Sequence, residues 1–356
     1  MKPPPIPGGF TSILPARFTS RRLGAFTLIE VIVSIAVLSI LLIILLQVSN
    51  LVSNIYTRTK GGVSAFQDAS VAADSMARRL AQATLNTYWD YYPSQSGASP
   101  AAPQIYIRQS ELHFVAGKAA SLLTGGGADN NPTHAIFFQA PLGYTNTLSY
   151  VANTEMLNAC GYYIAFGDDT KWRPNLPGLT RSSKMRFRLM EVLDPSESMG
   201  VYTDTSTTSY TWINDAISRG NVRAIADNII ALIVEPKLTA ADLAANNNVP
   251  LTTDYSYNSR YGTVSTTSNP AQPIQQHQLP PMLNVTMVAI DEISAQRLAA
   301  QYGSSPPSLF GTATFSTTDQ LDSDMNTLKS YLQKHHITYR VFNSEIPLRS
   351  AKWSSK

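Results

Sequence analysis

A long uncharged apolar segment near the N-terminus limits the folds open to this chain. No Asp, Glu, Lys or Arg occurs from Val31 to Thr57, and two serines alone interrupt the apolar run from Val31 to Leu46. Extended back to Phe26, the run has 21 residues, which is enough for a helix that crosses a bilayer. We therefore expect a transmembrane helix over residues 26–48.

The residues before this segment set its expected orientation. Residues 1–25 contain four of the 27 basic side chains and none of the 24 acidic ones. Arg21 and Arg22 immediately precede the run, so the N-terminus is expected in the cytoplasm and the C-terminal part across the membrane. Gly24 and Ala25 also precede the run, whereas an ordinary signal peptide has its small-residue cleavage site after it. The other 331 residues carry a net charge of −1, and no nucleic-acid partner is predicted.

Glu30 is out of place in this apolar context, because a carboxylate within a membrane span costs about 2.5–3.5 kcal/mol. One interpretation places Glu30 at the start of the helix, where the helix dipole and the headgroup region tolerate it. The other supposes cleavage before Phe26, so that the new α-amine of one subunit pairs with Glu30 of a neighbour in a packed bundle.

Residues 25–31, Ala-Phe-Thr-Leu-Ile-Glu-Val, resemble the class III signal of type IV pilins and type II secretion pseudopilins. In that signal a small residue precedes the cut, Phe follows it and Glu is the fifth mature residue. The resemblance implies cleavage between Ala25 and Phe26, methylation of the Phe26 amine, and an assembly salt bridge from Glu30. Glycine is the commoner residue before the cut, and alanine is the accepted variant.

The same resemblance implies partners and a location. Residues 1–25 would be a cytoplasmic leader removed by a prepilin peptidase, which itself uses S-adenosylmethionine, so that no cofactor is expected on this chain. The implied partners are that peptidase, other pilin-like subunits, an assembly platform and the inner membrane. The C-terminal domain would be periplasmic, with possible extraction into a pilus-like fibre.

Four further segments narrow the resemblance: Ala83–Tyr91, Arg108–Phe114, Ala226–Leu232 and Val285–Asp291. They are similar to the Verru_Chthon cassette protein C family, large pseudopilin-like proteins of Verrucomicrobia encoded beside other prepilin-like proteins. The similarity spans most of the chain but implies no biochemical activity.

The pattern after the membrane segment predicts an α+β fold, a long N-terminal helix packed on antiparallel sheet. Apolar residues at helical spacing extend the helix through residues 49–86 as an amphipathic continuation, with Gly61-Gly62 as a kink or hinge. Residues 87–356 form the globular domain, with long loops at about 240–281. Helices are expected after Asp291 and over Asp319–Gln333.

Period-two and apolar runs predict the strands of this domain. Gln104–Gln109 and Glu111–Ala116 are expected to form a hairpin. The other predicted strands are Ala135–Gln139, Tyr162–Gly167, Lys184–Val192, Asn228–Glu235, Leu283–Ile290 and Ile337–Phe342. In the strand from Lys184, the basic residues at 184, 186 and 188 are expected on a solvated face.

No residue constellation in the sequence favours catalysis, and no metal site is predicted. Asp168-Asp169 and the Asp322/Asp324 pair lack EF-hand spacing, so a loop and a helix cap are preferred. Residues 125–129, Gly-Gly-Gly-Ala-Asp, lack the Lys-Ser/Thr of a P-loop. His335-His336 is expected at a helix end, and Cys160 as a buried apolar residue. The aromatics at 88, 89, 91 and 92 are attributed to core packing.

Two functions remain open on the sequence. The first is a structural assembly subunit that is a substrate of the peptidase and not an enzyme; its size favours a minor or tip position. The alternative is a signal-anchored periplasmic binding module that captures an exported substrate or glycan, with no fibre and no role for Glu30.

Overall fold

The structure is a computed structural model that describes residues 27–93, 103–125, 127, 130–171, 183–264, 272–310 and 312–353. Side chains at positions 54, 57–65, 93, 103 and 104 are outside this description. The chain divides into two compact units, Met1–Thr57 and Arg58–Lys356. The predicted leader and Phe26 lie outside the described residues.

The first unit contains the start of helix α1, Leu28–Leu80. Its part from Leu28 to Ser53 has a mean hydropathy of 3.1 and is long and apolar enough to cross a membrane. The large apolar side chains of this part are exposed. So much exposed apolar surface is unstable in water and requires lipid or other helices around it.

The second unit contains the rest of α1 and the sheets. Eleven strands occur in the described part of the chain: β1 Tyr88–Pro93, β2 Pro103–Gln109, β3 Val115–Lys118, β4 His134–Pro141, β5 Leu157–Gly167, β6 Arg186–Asp194, β7 Val222–Asp227, β8 Ile229–Lys237, β9 Tyr257–Asn258, β10 Met282–Ile290 and β11 Tyr339–Pro347. The further helices are α2 Ala119–Leu122, α3 Thr211–Ser218, α4 Ala240–Ala245, α5 Glu292–Tyr302 and α6 Leu321–Lys334.

All strand pairs in the three sheets are antiparallel. The largest sheet has the order β7-β6-β5-β4-β3-β9, the second β11-β10-β8, and the third is the β1-β2 hairpin. Strand β8 is apolar and buried almost throughout, and it packs against β3, β4, β5 and β6. A strand that is covered on both sides explains why its sequence is continuously apolar and does not alternate.

Helical periodicity decides which residues of α1 enter the core of the second unit. Ala69, Ala72, Ala73, Met76 and Leu80 are buried and recur every three or four residues. The spacing predicts this stripe, although the helix ends at Leu80, six residues before the expected position. The long N-terminal helix and the antiparallel sheets confirm the α+β class.

Local signals placed the two C-terminal helices correctly. The Asp291 side chain accepts a hydrogen bond from the Ser294 amide at 3.2 Å and caps α5. The sequence of α6 predicts an apolar face of Leu321, Met325, Leu328 and Leu332. The last three of these are buried, and Leu321 is half-buried.

The expected hairpin of residues 104–116 is wrong. Strand β2 pairs with β1, and β3 belongs to the six-stranded sheet, where it lies between β4 and β9. The range 240–281 contains α4 and β9, and Tyr255 and Tyr257 within it are fully buried.

Candidate functional site

The predicted processing residues begin just before the described part of the chain. Arg21, Arg22, Ala25 and Phe26 lie outside the described residues, and Thr27 is the first that is described. Glu30 lies in the first turn of α1, which begins at Leu28. The geometry around Glu30 therefore shows how its carboxylate is accommodated within one chain.

Glu30 and Thr27 form a reciprocal cap at the start of α1. The Thr27 amide and hydroxyl donate to Glu30 Oε2 at 3.0 and 3.1 Å, and the Glu30 amide donates to Thr27 Oγ1 at 3.4 Å. This is the capping box, in which a Thr and a Glu three residues later satisfy each other's amide groups. The sequence contained this signal, a Thr-x-x-Glu before an apolar run, but Thr27 was missed as a functional residue.

The capping box does not use the whole carboxylate. Both bonds from Thr27 end on Oε2, and among the described residues no hydrogen bond is made to Oε1. The side chain is also exposed. An ionised carboxylate can accept several hydrogen bonds, so Oε1 is available to a donor from another chain.

The polar side chains deeper in the span are satisfied by the helix itself. Ser34 Oγ donates to the Glu30 carbonyl at 2.6 Å, and Ser39 Oγ donates to the Ile35 carbonyl at 2.8 Å. Such bonds to the carbonyl four residues back remove the cost of a hydroxyl in an apolar medium. The sequence from Ser34 to Ser53 also contains no charged side chain, so no charge in this part of the helix opposes membrane insertion.

The second unit contains a buried polar cluster centred on Glu191 of β6. Glu191 is 1% exposed, is bonded to Arg79 and Arg223, and accepts from the Tyr162 hydroxyl at 2.9 Å. Cys160, on the neighbouring strand, is buried as predicted, and burial raises the pKa of its thiol to about 12. A thiol with so high a pKa is a poor nucleophile, so this cluster joins helix to sheet without offering a reactive group.

A second buried cluster surrounds His113. Trp212 Nε1 donates to His113 Nδ1 at 3.1 Å, which leaves His113 Nε2 to donate to Asn258 Oδ1 at 2.9 Å. Burial and the nearby Arg260 guanidinium lower the pKa of His113 to about 3. The ring is thus neutral and fully bonded, and it serves packing.

The expected solvated basic face of β6 is wrong. Arg186 and Arg188 are 4% and 3% exposed, and each has a carboxylate partner. Arg186 Nη2 lies 3.0 Å from Glu292 Oε1, and Arg188 Nε lies 2.8 Å from Asp227 Oδ1. These partners are distant in sequence, so the strand pattern could not reveal them.

The acidic pairs and histidines serve local structure. Asp168 Oδ1 accepts from Thr170, and Asp324 Oδ2 accepts from the Phe315 amide at 2.7 Å. His335 and His336 end α6, where their carbonyls accept from Arg297. Among the described residues, no group of three or more His, Cys, Asp and Glu side chains could hold a metal ion. Part of the glycine-rich segment, positions 126, 128 and 129, lies outside the description.

The attribution of the aromatic cluster after α1 to core packing is wrong for three of its members. Tyr88, Trp89 and Tyr91 are 43%, 61% and 55% exposed on the β1-β2 hairpin. The Tyr88 hydroxyl donates to Glu111 at 2.7 Å. These rings present apolar surface to solvent instead of joining the core.

The comparisons with known proteins bear on the N-terminal segment. The family model for the prokaryotic N-terminal methylation motif matches residues 21–46. No curated protein and no solved structure matches the chain. The chain thus carries a prepilin-type methylation motif, and the apolar helix that follows fits a membrane-anchored protein of that type.

Proposed function

We propose that this chain is a prepilin-peptidase-processed structural subunit, pilin-like or pseudopilin-like, that assembles through α1. The observation that carries the proposal is the methylation motif at residues 21–46 on an apolar helix with one carboxylate in its first turn. The finer assignment to the Verru_Chthon cassette protein C family and to Verrucomicrobia is part of the proposal. The lack of a catalytic constellation in the sequence supports a structural role over an enzymatic one.

The proposed pathway begins in the inner membrane with residues 1–25 in the cytoplasm and the C-terminal part in the periplasm. A prepilin peptidase cleaves between Ala25 and Phe26 and methylates the Phe26 amine with S-adenosylmethionine. The mature helix then enters a bundle with other pilin-like subunits at an assembly platform, in a secretion or type IV pilus-type system.

Glu30 has two compatible roles in this proposal. Its Oε2 caps its own helix through Thr27, while Oε1 is left to accept from the methylated amine of a neighbouring subunit. Pairing a carboxylate with an ammonium offsets the cost of taking both charges out of water. The cap keeps Glu30 tolerable before assembly, and the second oxygen sets the register during it.

The two roles are separated by a matched pair of variants. Glu30→Gln keeps the capping box, because Gln also serves at this position, but removes the negative charge. Thr27→Val removes the capping hydroxyl and keeps the charge, at about 1 kcal/mol of helix stability. We expect Glu30→Gln to lose co-purification with other pilin-like subunits while still inserting into the membrane, and Thr27→Val to retain it. Normal co-assembly of Glu30→Gln would exclude the salt bridge.

Processing itself is tested by the mass of the N-terminal peptide from native membranes. A peptide that begins at Phe26 and carries one methyl group is the expected result. An intact leader, in cells that process their other prepilins, would contradict the proposal. It would favour the alternative of a signal-anchored binding module.

The size of the mature chain, 331 residues, supports a minor subunit at a fibre end. A large domain is easier to accommodate at an end than at every step of a shaft. Immunogold labelling of isolated fibres should therefore mark their ends. Uniform labelling along the shaft would exclude the tip position without affecting the processing proposal.

A further inference from the structure

The β1-β2 hairpin presents an exposed aromatic surface. Trp89, Tyr91 and Tyr106, here called the aromatic face, are 61%, 55% and 62% exposed. The rings of Tyr91 and Tyr106 lie 4.6 Å apart between centroids, and the Tyr106 hydroxyl donates to the Tyr91 hydroxyl at 3.0 Å. Trp89 is two residues from Tyr91 and directly opposite Arg108, so all four side chains share one side of the hairpin.

A basic pocket adjoins the aromatic face. It has a volume of about 490 Å³, and Trp89 belongs to both the pocket and the face. Arg108, Arg349 and Lys352 supply three positive charges to its wall, and no acidic side chain is among the described residues that line it. The rest of the lining consists of Leu279 and five neutral polar residues: Thr84, Asn86, Thr87, Gln278 and Ser350.

The three cations differ in how firmly they are held. Arg108 is 5% exposed, and its guanidinium donates to the carbonyls of Gln276 at 3.3 Å and Pro273 at 3.2 Å. Main-chain carbonyls thus fix this charge in place. The side chains of Arg349 and Lys352 are exposed and make no ion pair with any described residue.

This arrangement contrasts with that of three other arginines of the second unit. Arg186, Arg188 and Arg219 each lie within 3.0 Å of a carboxylate oxygen. Within the described residues, by contrast, no carboxylate pairs with Arg349 or Lys352, and their positive charges lie beside an apolar surface. Such a site is complementary to a ligand that is both anionic and flat-faced.

We propose that the aromatic face and the basic pocket together bind an acidic polysaccharide. A sugar ring lies on the aromatic face, where its C–H groups contact the rings, and its carboxylate enters the basic pocket. Arg349 and Lys352 pair with that carboxylate, while Thr84, Thr87 and Asn86 are placed to bond its hydroxyl groups. This site is independent of the proposed processing of the N-terminus.

The charge distribution favours a glycan over single-stranded nucleic acid, which also combines stacking with cations. A nucleic acid needs positive charge along a track of phosphates. Here the cations surround one pocket, and the chain after residue 25 has a net charge of −1. One acidic group per ring therefore fits the site better than a continuous phosphate backbone.

The test measures binding of a fluorescent oligogalacturonate to the full-length chain in detergent. We expect Trp89→Ala, Arg349→Glu and Lys352→Glu each to raise Kd about tenfold. Arg349 and Lys352 are exposed, so their charge reversal leaves the core intact. Matched controls are Tyr302→Ala and Lys334→Glu. Tyr302 ends α5 and Lys334 ends α6, and neither residue lines the basic pocket, so both variants should bind as the parent does.

Three further probes distinguish an acidic polysaccharide from other ligands of the site: an uncharged glycan, an acidic polypeptide and a single-stranded nucleic acid. Methyl-esterified oligogalacturonate, which lacks the charges, should bind at least about tenfold more weakly, as should poly-L-glutamate, which lacks the rings. Equal binding of either probe would overturn the proposal. Oligo(dT) that binds more tightly than the glycan and responds to the same variants would assign the site to nucleic acid. Equal Kd for all variants, or no saturable binding, would also overturn it.

Discussion

Arg79 on α1 forms an ion pair with Glu191 in β6, 112 residues away in the sequence. Glu191 is 1% exposed, whereas the Arg79 side chain retains 26% of its exposure. The carboxylate also holds Arg223 and the Tyr162 hydroxyl. Within the second unit, this buried carboxylate therefore fixes the amphipathic part of α1 on the six-stranded sheet.

Removing the Glu191 charge should weaken the second unit. We expect Glu191→Gln to lower the free energy of unfolding by about 3 kcal/mol, because two arginines lose their shared partner. Urea unfolding of the full-length chain in detergent, followed by tryptophan fluorescence, measures this change. The matched variants Arg79→Met and Arg223→Met compare the contributions of the two arginines that share Glu191. Arg223 is 55% exposed, so its loss should cost less than about 1 kcal/mol, and equal costs would contradict the account.

Buried histidines should make the free energy of unfolding depend on pH at values above those at which carboxylates titrate. Burial lowers the pKa of His113 to about 3 and of His134 to about 4, below the unfolded value of about 6.5. The unfolded chain then binds protons first as pH falls, so stability is present above pH 6.5 and is lost toward pH 4. Each of these histidines should lower the free energy of unfolding by about 2 kcal/mol when the pH falls from 8 to 5.

Urea unfolding at a series of pH values measures this slope. Burial also lowers the pKa of His277 to about 4, so three histidines contribute comparably to the slope. His134→Gln should therefore reduce the slope by about a third. His336→Gln, at an exposed position after α6, is the matched control and should leave the slope unchanged. A slope that is the same in His134→Gln as in the parent would contradict the assignment.

Local patterns predicted the elements whose causes are local. Asp291 and the apolar stripe of α6 define their helices within one or two turns, and Val285–Ile290 is apolar enough to be a strand in any context. The Thr27–Glu30 cap is equally local. The Thr-x-x-Glu spacing before an apolar run is sufficient to predict it from the sequence.

The failures concern partners that lie far apart in the chain. Arg186 looked solvated because Glu292, which pairs with it, is 106 residues away. The predicted hairpin at 104–116 is wrong because a run of strand-forming residues does not indicate which strand it pairs with. Strand β1, which pairs with β2, coincides with the aromatic cluster that the sequence analysis attributes to the core. The basic pocket joins Arg108 to residues after β11, a contact that no spacing indicates.

Gly161 in β5 allows a close approach that no other residue permits. A Cβ at Gly161 would clash with Cδ1 of Phe137, which lies on the neighbouring strand. We expect Gly161→Ala to displace that ring and to destabilise the second unit by about 1–3 kcal/mol in urea unfolding. Gly167→Ala is the control, since nothing lies within 4 Å of its Cβ position, and it should be neutral or slightly stabilising. Equal effects of the two substitutions would show that Phe137 adapts freely.

Cys160 should report unfolding through its reactivity. Burial raises the pKa of its thiol to about 12, compared with about 8.5 for a free cysteine, so the thiolate population at pH 8 falls roughly a thousandfold. We expect alkylation by iodoacetamide to be at least about a thousandfold slower in the folded chain than in urea. Because the chain has one cysteine, mass spectrometry of the intact protein measures the rate without ambiguity.

The Glu191→Gln variant should accelerate alkylation by opening the cluster beside Cys160. Rapid labelling of the parent chain under native conditions would show that Cys160 is accessible and would contradict the buried cluster.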